Sequence, residues 1–484
     1  MPFFTPNDFQ VILPLVVLTT WACVLLLVVA FGVGQRPWLV PFLTLLALIS
    51  TAVFVFPPFG RESEAFGGLL VQDGFSSFIN LLLLLGGLLT LALSYNYLRR
   101  MALARGEFYA LMLFSIGGMM LMGMAADLIV VFLALELLSI PLYVLAAFAR
   151  PEANSEEAGL KYFLLGAFAS GFLLYGIALV YGATGTTVLT GIFVAAQNGL
   201  EQPIFLVLGA ALILVGLGFK IAAVPFHMWT PDVYHGAPTA VTAFMALGAK
   251  AGGFAALLRT FVVAFPAVSE QMAPVLWAVT AATLIIGNLA AIAQNNVKRM
   301  LAYSSISHAG FILMAIVAYA DDAARFDVVA SALFYLLAFA FASFGSWAVV
   351  MTLEQREGKG LEFKDYAGLG KRNPGLALAM AVFMLSFTGV PPTLGFAGKF
   401  FLFRAVLEGG YIGLAIVGVL ASLISAYYYL RLVVVMYMQE GSPEVHRETW
   451  LNLTAGFSAA ATVLLFIFSQ SLFAWASSAV LKLF

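Results

Sequence analysis

Long apolar runs separated by short polar interruptions make up nearly the whole of this chain. A transmembrane helix needs about 20 mostly apolar residues, and about fourteen runs of that size occur. They are centred near residues 20, 46, 85, 115, 138, 171, 215, 248, 283, 310, 340, 390, 424 and 466. In hydrocarbon every backbone polar group must be satisfied within the protein, so segments this long are helices rather than barrel strands. The first run, Phe9 to Val33, is too long for a signal-peptide core and no basic segment precedes it, so it reads as a span.

Composition agrees with this pattern. Of 484 residues, 63% are hydrophobic and 10% charged, with a mean hydropathy of +1.02. Soluble domains carry about 25% charged residues, so a soluble enzyme, a nucleic-acid binder and a disordered regulator are all excluded. The formal net charge of −1 offers no polybasic stripe for a polynucleotide. Cys23 is the single cysteine, and His227, His235, His308 and His446 are scattered, so the chain brings no obvious redox centre of its own.

Most of the 23 Lys and Arg residues fall in loops that follow odd-numbered spans, among them Arg36, Arg99, Arg100, Arg105, Arg150, Lys298, Arg299 and Arg447. Arg61, Arg259, Arg325, Arg404 and Lys482 fall in the even loops or at the C-terminus. The positive-inside rule then puts the odd loops in the cytoplasm and both termini outside. The longest polar stretch, Thr352 to Asn373, reads as a solvated cytoplasmic loop or a docking segment for a neighbouring subunit.

Two runs are interrupted alike. Gly218-Phe219-Lys220-Ile221-Ala222-Ala223-Val224-Pro225-Phe226-His227 lies in the seventh, and Thr388-Gly389-Val390-Pro391-Pro392 followed by Lys399 lies in the twelfth. Proline removes an intrahelical hydrogen bond, and such breaks persist at membrane depth only where they are buried in protein or line a wet cavity. Five spans separate the two breaks, and an odd-numbered unit repeated in tandem inserts upside down. The expected fold class is therefore an all-α polytopic membrane protein of about fourteen helices. Two inverted five-helix repeats, helices 4–8 and 9–13, would contain broken helices 7 and 12. The expected boundaries are 1–104 for the first three helices, 105–262 and 263–440 for the repeats, and 441–484 for the last helix.

Ionisable residues inside the spans are the candidates for function. Glu136 lies mid-span in the fifth run, Lys161 near the start of the sixth, Lys220 in the seventh, Lys250 in the eighth and Lys399 in the twelfth. A charge at mid-bilayer costs about 2.5–3.5 kcal/mol on insertion scales, so several together point to function. Desolvation favours the neutral form of a lysine and a nearby carboxylate favours the charged form, so a buried lysine that gains and loses an acidic partner can take up and release a proton. In the tenth run Ser304, Ser307 and His308 share a helical face, a polar stripe suited to ordering water and passing protons. Asp127 reads as a helix-end charge, and Arg431 is expected to snorkel. The segment Trp229 to Thr239 reads as a turn that caps the eighth helix, with Asp232 a weaker candidate for gating and His235 without an evident partner.

Four stretches carry a family resemblance: Leu135-Glu136-Leu137-Leu138-Ser139-Ile140-Pro141-Leu142-Tyr143; Pro225-Phe226-His227-Met228-Trp229-Thr230-Pro231-Asp232-Val233-Tyr234; Lys298-Arg299-Met300-Leu301-Ala302-Tyr303-Ser304-Ser305-Ile306-Ser307-His308-Ala309-Gly310; and Gly389-Val390-Pro391-Pro392-Thr393-Leu394-Gly395-Phe396-Ala397-Gly398-Lys399-Phe400. Together they resemble the antiporter-like membrane subunits of respiratory complex I, the proton-translocating NADH:quinone oxidoreductase. The chain N branch, the counterpart of mitochondrial ND subunit 2, is the most similar. The resemblance implies that Glu136 pairs with Lys220, that Lys250 is the central relay lysine, that Lys399 ends the relay, and that His308 sits between them with Lys161 near the Glu136 end. It also implies that the chain moves protons while NADH, FMN, iron–sulfur clusters and quinone are bound by partner subunits, with no cofactor here. Expected partners are the M-type antiporter-like subunit, the small K- and J-type subunits and the lipid bilayer of a bacterial inner membrane. A multi-subunit Na+/H+ antiporter or a membrane-bound hydrogenase of the same fold is the alternative. The family usually has Glu and Pro where this chain has His235 and Ala240, which bears on local gating rather than on the lysines.

Overall fold

The computed structural model describes residues 5–32, 36, 38–56, 62–318 and 325–479. Its helices are α1 (Pro6–Ala30), α2 (Leu39–Val55), α3 (Gly74–Arg100), α4 (Glu107–Met124), α5 (Leu128–Ala146), α6 (Ala153–Thr184), α7 (Leu189–Gln197), α8 (Pro203–Ile221), α9 (Trp229–Gly236) and α10 (Thr239–Ala264). They continue with α11 (Ser269–Ile292), α12 (Val297–Ala318), α13 (Arg325–Leu353), α14 (Leu369–Arg372), α15 (Pro374–Thr388), α16 (Leu394–Glu408), α17 (Ile412–Met438), α18 (Thr449–Ile467) and α19 (Ser469–Ser478). A short antiparallel hairpin, β1 (Ser63–Ala65) with β2 (Leu70–Gln72), lies between α2 and α3. Among the described residues 12 helices are long and apolar enough to cross a membrane, and α2 and α15 are shorter apolar helices. The chain is thus the all-α, multi-pass membrane protein that its apolar runs predict. Arg61 and Lys482, two of the cations used for orientation, lie outside the described residues.

Burial sorts the helices into an inner and an outer set. Every residue of α10 is buried, and α12 and α13 are enclosed almost as completely. The outer helices present large apolar side chains outward, for example Leu27 on α1, Phe168 on α6, Leu423 on α17 and Ile467 on α18. A helix apolar on all sides belongs either in lipid or in the centre of a bundle. Here the three enclosed helices are the ones that bring Lys250, His308 and Tyr335 inside.

Both expected helix breaks are present. Helix α8 stops where Ala222 turns left-handed at φ 62°, and the irregular stretch through Pro225 leads into α9. Helix α15 stops at Gly389, φ 89°, and α16 restarts after Thr393, whose hydroxyl caps it by accepting from the Phe396 N–H. Glycine is required at 389 twice over: its φ is left-handed, and a Cβ there would lie 2.9 Å from Cδ of Lys399. Asp127 is a helix-end charge, as expected; its carboxylate accepts from the Ile129 N–H at 2.7 Å and from the Thr187 hydroxyl at 2.6 Å.

Three expectations need correction. The segment from Trp229 is a short helix, not a turn. Pro231 fits its first turn, where no intrahelical N–H is needed, and Asp232 complements the dipole at the same end. Asp232 also clamps α9 to its neighbours, accepting from Lys161 at 2.7 Å and from Arg299 at 3.0 Å. Second, the stretch from Thr352 to Asn373 is not simply solvated, because Glu354, Phe363, Tyr366 and Leu369 are buried. Glu354 there pairs with Lys298, which is itself buried rather than displayed in a loop. Third, Arg259 is not in a loop. It lies inside α10 and forms a two-pronged ion pair with Asp73, at 2.8 and 2.9 Å, while also donating to the Gly123 carbonyl. This pair ties the central helix to the start of α3.

Asp73 also caps α3 by accepting from the Ser76 N–H at 2.8 Å. Asparagine caps as well as aspartate, so Asp73→Asn removes the charge and keeps the cap. Leaving the buried Arg259 guanidinium uncompensated is expected to cost about 3–5 kcal/mol, read as a large fall in the thermal midpoint of the detergent-solubilised protein. The Asp232 clamp is worth less because it is over one-third exposed, about 1 kcal/mol or below. Burial opposes ionisation of Asp232, but its hydrogen bonds from Lys161 and Arg299 outweigh burial and hold its pKa below 3.8. A depressed carboxylate stabilises above its unfolded pKa and loses that contribution as pH falls through the folded value. The pH dependence of stability removed by Asp232→Asn is therefore expected below about pH 4, with no difference in slope between pH 6 and 8.

Candidate functional site: a buried polar track

Lys220 occupies the last turn of α8, where a cation complements the helix dipole. It is 1% exposed, and its ammonium donates to the Tyr162 hydroxyl at 3.2 Å. The Tyr162 and Tyr143 rings flank it, with centroids 5.0 and 5.8 Å away. Glu136 makes no direct ion pair with Lys220 among the described residues, but its charge reaches that lysine. The Glu136 carboxylate instead accepts a short hydrogen bond from Ser170 on α6 and is half-buried. Glu136 and Lys220 are thus neighbours separated by tyrosine rather than a closed ion pair.

The α8 break brings Lys220 against α10. Its Cγ would lie 3.3 Å from a Cβ on Gly253, so the missing side chain at 253 makes room for the lysine stem. One turn away on α10, Lys250 is 3% exposed and donates to the backbone carbonyl of Ser305 on α12. His308 follows one turn further along α12. Its Nδ1 pairs with the Tyr335 hydroxyl at 2.6 Å and its Nε2 with the Tyr429 hydroxyl at 3.0 Å. The Ser304 hydroxyl joins the same Tyr429 oxygen. Ser307, expected on the same stripe, diverges from it: its hydroxyl accepts from Asn288 at 2.7 Å, and the Asn288 carbonyl accepts from Tyr428 at 2.8 Å. Charges on both Lys250 and Lys399 act on His308.

Lys399 lies beyond the second break, on α16. Its ammonium donates to the Thr388 carbonyl at 2.9 Å and to the Ser422 hydroxyl at 3.0 Å, and it sits 4.3 Å from the Phe311 ring centroid. Thr388 is the last residue of α15, so the lysine meets the negative end of a half-helix. Broken helices in membranes commonly present such ends to ions.

Lys161 does not join this track. Its side chain is 40% exposed and is held by Glu157 and Asp232, both at 2.7 Å, rather than by Glu136. The physical reason is its place about two turns inside the α6 N-terminus, where α9 supplies a carboxylate. Arg431 behaves as expected of a snorkelling residue, donating to the Gln294 carbonyl and the Asn295 side chain. Reasoning from sequence missed the tyrosines that surround Lys220 (Tyr143 and Tyr162) and His308 (Tyr335 and Tyr429), because an aromatic residue in an apolar run carries no distinguishing signal. It also missed the Lys298–Glu354 pair, whose members flank apolar runs and so resemble loop charges.

Residues 125–425 match the family model described as NADH:quinone oxidoreductase/Mrp antiporter, TM. NADH-quinone oxidoreductase subunit N of Trichlorobacter lovleyi is 45% identical over 461 residues, covering 95% of this chain and 93% of that protein. NADH-quinone oxidoreductase subunit N 2 of Roseiflexus castenholzii is 46% identical over 460 residues, covering 94% and 92%. A chain of respiratory complex I from Thermus thermophilus superposes with a TM-score of 0.81 at 36% identity, covering 95% of this chain and 98% of that one. A chain of the Mrp complex from Dietzia superposes at 0.86 but is 22% identical, with 98% and 97% covered, a likeness of fold. The track of buried lysines, histidine and tyrosines therefore belongs to a member of the NADH:quinone oxidoreductase/Mrp antiporter family, within its NADH-quinone oxidoreductase subunit N branch.

Proposed function

We propose that the chain is the N-type proton-translocating membrane subunit of an NADH:quinone oxidoreductase. It moves protons through Glu136, Lys220, Lys250, His308 and Lys399, driven by electron transfer in other subunits. The observation that carries this reading is the arrangement of three fully buried lysines, none in an ion pair among the described residues. Each is solvated by a tyrosine or serine hydroxyl or by a backbone carbonyl. At Lys220 and Lys399, where a hydroxyl is a partner, the ammonium loses little local bonding when it becomes an amine, because hydroxyls both donate and accept. A carboxylate partner would lock the charge in place, as Asp73 does for Arg259.

The geometry supports a role for each of these residues. Glu136, half-buried and linked to Ser170, is the acid whose movement toward or away from Lys220 changes the charge state of that lysine. Lys250 is the midpoint, between the two broken segments. His308, with a tyrosine hydroxyl on each ring nitrogen, can accept a proton on one side and release it on the other. Lys399 hands the proton to the far side beneath the second break. Lys161, clamped at the surface by Asp232, supports α9 instead. The two breaks are read as equivalent points of inverted repeats spanning 105–262 and 263–440. The basic odd loops are read as cytoplasmic, with both termini on the opposite face of a bacterial inner membrane. Electron carriers are assigned to partner subunits, among them an M-type antiporter-like subunit and small K- and J-type subunits. The sequence identity to proteins named subunit N favours this over a sodium/proton antiporter or hydrogenase subunit of the same fold.

Lys220→Ala, Lys250→Ala and Lys399→Ala in the reconstituted complex test the reading. Loss of a positioned proton carrier slows its transfer step by about 10²–10⁴. Protons pumped per electron are expected to fall in each, while NADH oxidation by a soluble artificial acceptor is retained. Normal pumping in all three would sink the relay.

A further inference from the structure

A cavity of about 530 Å³ opens on the face that carries the odd-numbered loops. Its rim is exposed, at Glu152, Asn154 and Arg356, and its floor is the buried Lys298–Glu354 pair with Tyr97 and His235 alongside. A single water needs only about 10–15 Å³ of such volume, so the cavity accommodates several. Neither end of the track just described uses these residues.

The floor is built unlike a structural ion pair. Lys298 and Glu354 are 2% and 4% exposed, yet their charged atoms are 3.7 Å apart, well beyond hydrogen-bond length. Lys298 donates instead to the Ala237 carbonyl at 3.0 Å. Oε2 of Glu354 has no hydrogen-bond partner among the described residues, and neither has Nδ1 of His235 beside it. An isolated buried carboxylate oxygen is costly unless it is hydrated or protonated. Burial, followed by the Lys298 and Arg299 charges, pushes the His235 pKa down to about 4, against the opposing pull of Asp232 and Glu354. The imidazole is therefore neutral at pH 7 and offers the cavity a dipole rather than a charge.

Polar atoms continue inward from this floor. The Thr239 N–H donates to the Tyr97 hydroxyl at 3.1 Å, and the Thr239 hydroxyl is itself buried without a partner among the described residues. Next come Tyr234 and Ser305, whose hydroxyls face each other without completing a hydrogen bond of normal geometry. The Ser305 carbonyl is the acceptor of the Lys250 ammonium. Unpaired buried hydroxyls are where ordered water belongs, and water at these would join the cavity floor to the acceptor of the central lysine.

We propose that this cavity is an aqueous port and that Glu354, paired loosely with Lys298, is the group that exchanges protons between it and Lys250. The proposal rests on the relay reading above. Glu354 takes a proton from cavity water as a neutral carboxylic acid. It passes that proton through Thr239, Tyr234 and Ser305 toward Lys250 and becomes the carboxylate again. Run in reverse, the same steps release a proton, so charge and atoms balance in both directions.

Two measurements on the assembled complex in sealed vesicles test this. Glu354→Gln keeps the shape and removes the titrating group; it is expected to lose pumping per electron to the level of Lys250→Ala, while Glu354→Asp retains it. Cys23 is the only native cysteine, so in a Cys23→Ser background His235→Cys reports access to the cavity. A charged, membrane-impermeant thiol reagent is expected to label it from one face only, the same face as Lys359→Cys. Normal pumping in Glu354→Gln, alongside a defect in Lys250→Ala, would overturn the port and leave the relay standing. Normal pumping in Lys220→Ala, Lys250→Ala and Lys399→Ala would remove both. Should Glu354→Gln fail to assemble, the labelling decides: a position 235 thiol as unreactive as one at outward-facing Leu133 ends the proposal.

Discussion

The interaction on which this architecture depends is the solvation of ammonium groups by neutral oxygen inside an apolar bundle. Each mid-bilayer charge carries an insertion cost of about 2.5–3.5 kcal/mol, and the protein offsets it with hydroxyls and carbonyls rather than carboxylates at Lys220, Lys250 and Lys399. The choice separates two kinds of buried cation in one molecule. Arg259, locked by two hydrogen bonds that it donates to Asp73, holds the central helix to α3 and keeps its charge permanently. Lys220, Lys250 and Lys399 meet no carboxylate among the described residues, only hydroxyls and backbone carbonyls.

The broken helices make that solvation available. A continuous helix spends most of its carbonyls on its own hydrogen bonds, and of the three lysines only Lys250 meets one within an unbroken helix, at Ser305 of α12. The stop at Gly389 frees the Thr388 carbonyl for Lys399, and the absence of a Cβ at 389 leaves space for the lysine stem. The stop at Ala222 puts Lys220 at the end of a dipole and lets α9 fold back, so that Trp229 stacks on Tyr162 at 4.4 Å. Tyr162 is then held rigid while its hydroxyl serves Lys220. The fold, its breaks and its chemistry are therefore one design: irregular backbone survives at depth only where protein or water meets it.

Some residues were legible in the chain and others were not, for reasons of surroundings. Lys250 stands alone within a long apolar run, and a lone charge in such a run has few places to go but the bundle interior. Lys399 and Lys220 stand beside prolines that no ordinary span would keep. Lys161 has the same local look but lies near a helix end, and its partner Asp232 is 71 residues away. Lys298 and Glu354 sit at the edges of apolar runs beside other charges, so the chain gives no sign that folding buries them against each other. Arg259 looks like a loop cation because it falls towards the end of the eighth apolar run.

By itself, the sequence determined the solvent, the helical class, the positions of the two breaks and which side chains must be paid for if buried, because these depend on local composition and the length of each apolar run. Only the tertiary structure decided which buried cations meet a carboxylate and which meet neutral oxygen, that tyrosines surround Lys220 and His308, that Lys161 serves α9, and that a polar cavity lies over Glu354. Those depend on contacts between helices far apart in sequence. In a chain where nearly every span is apolar all round, no periodic pattern announces which faces will meet.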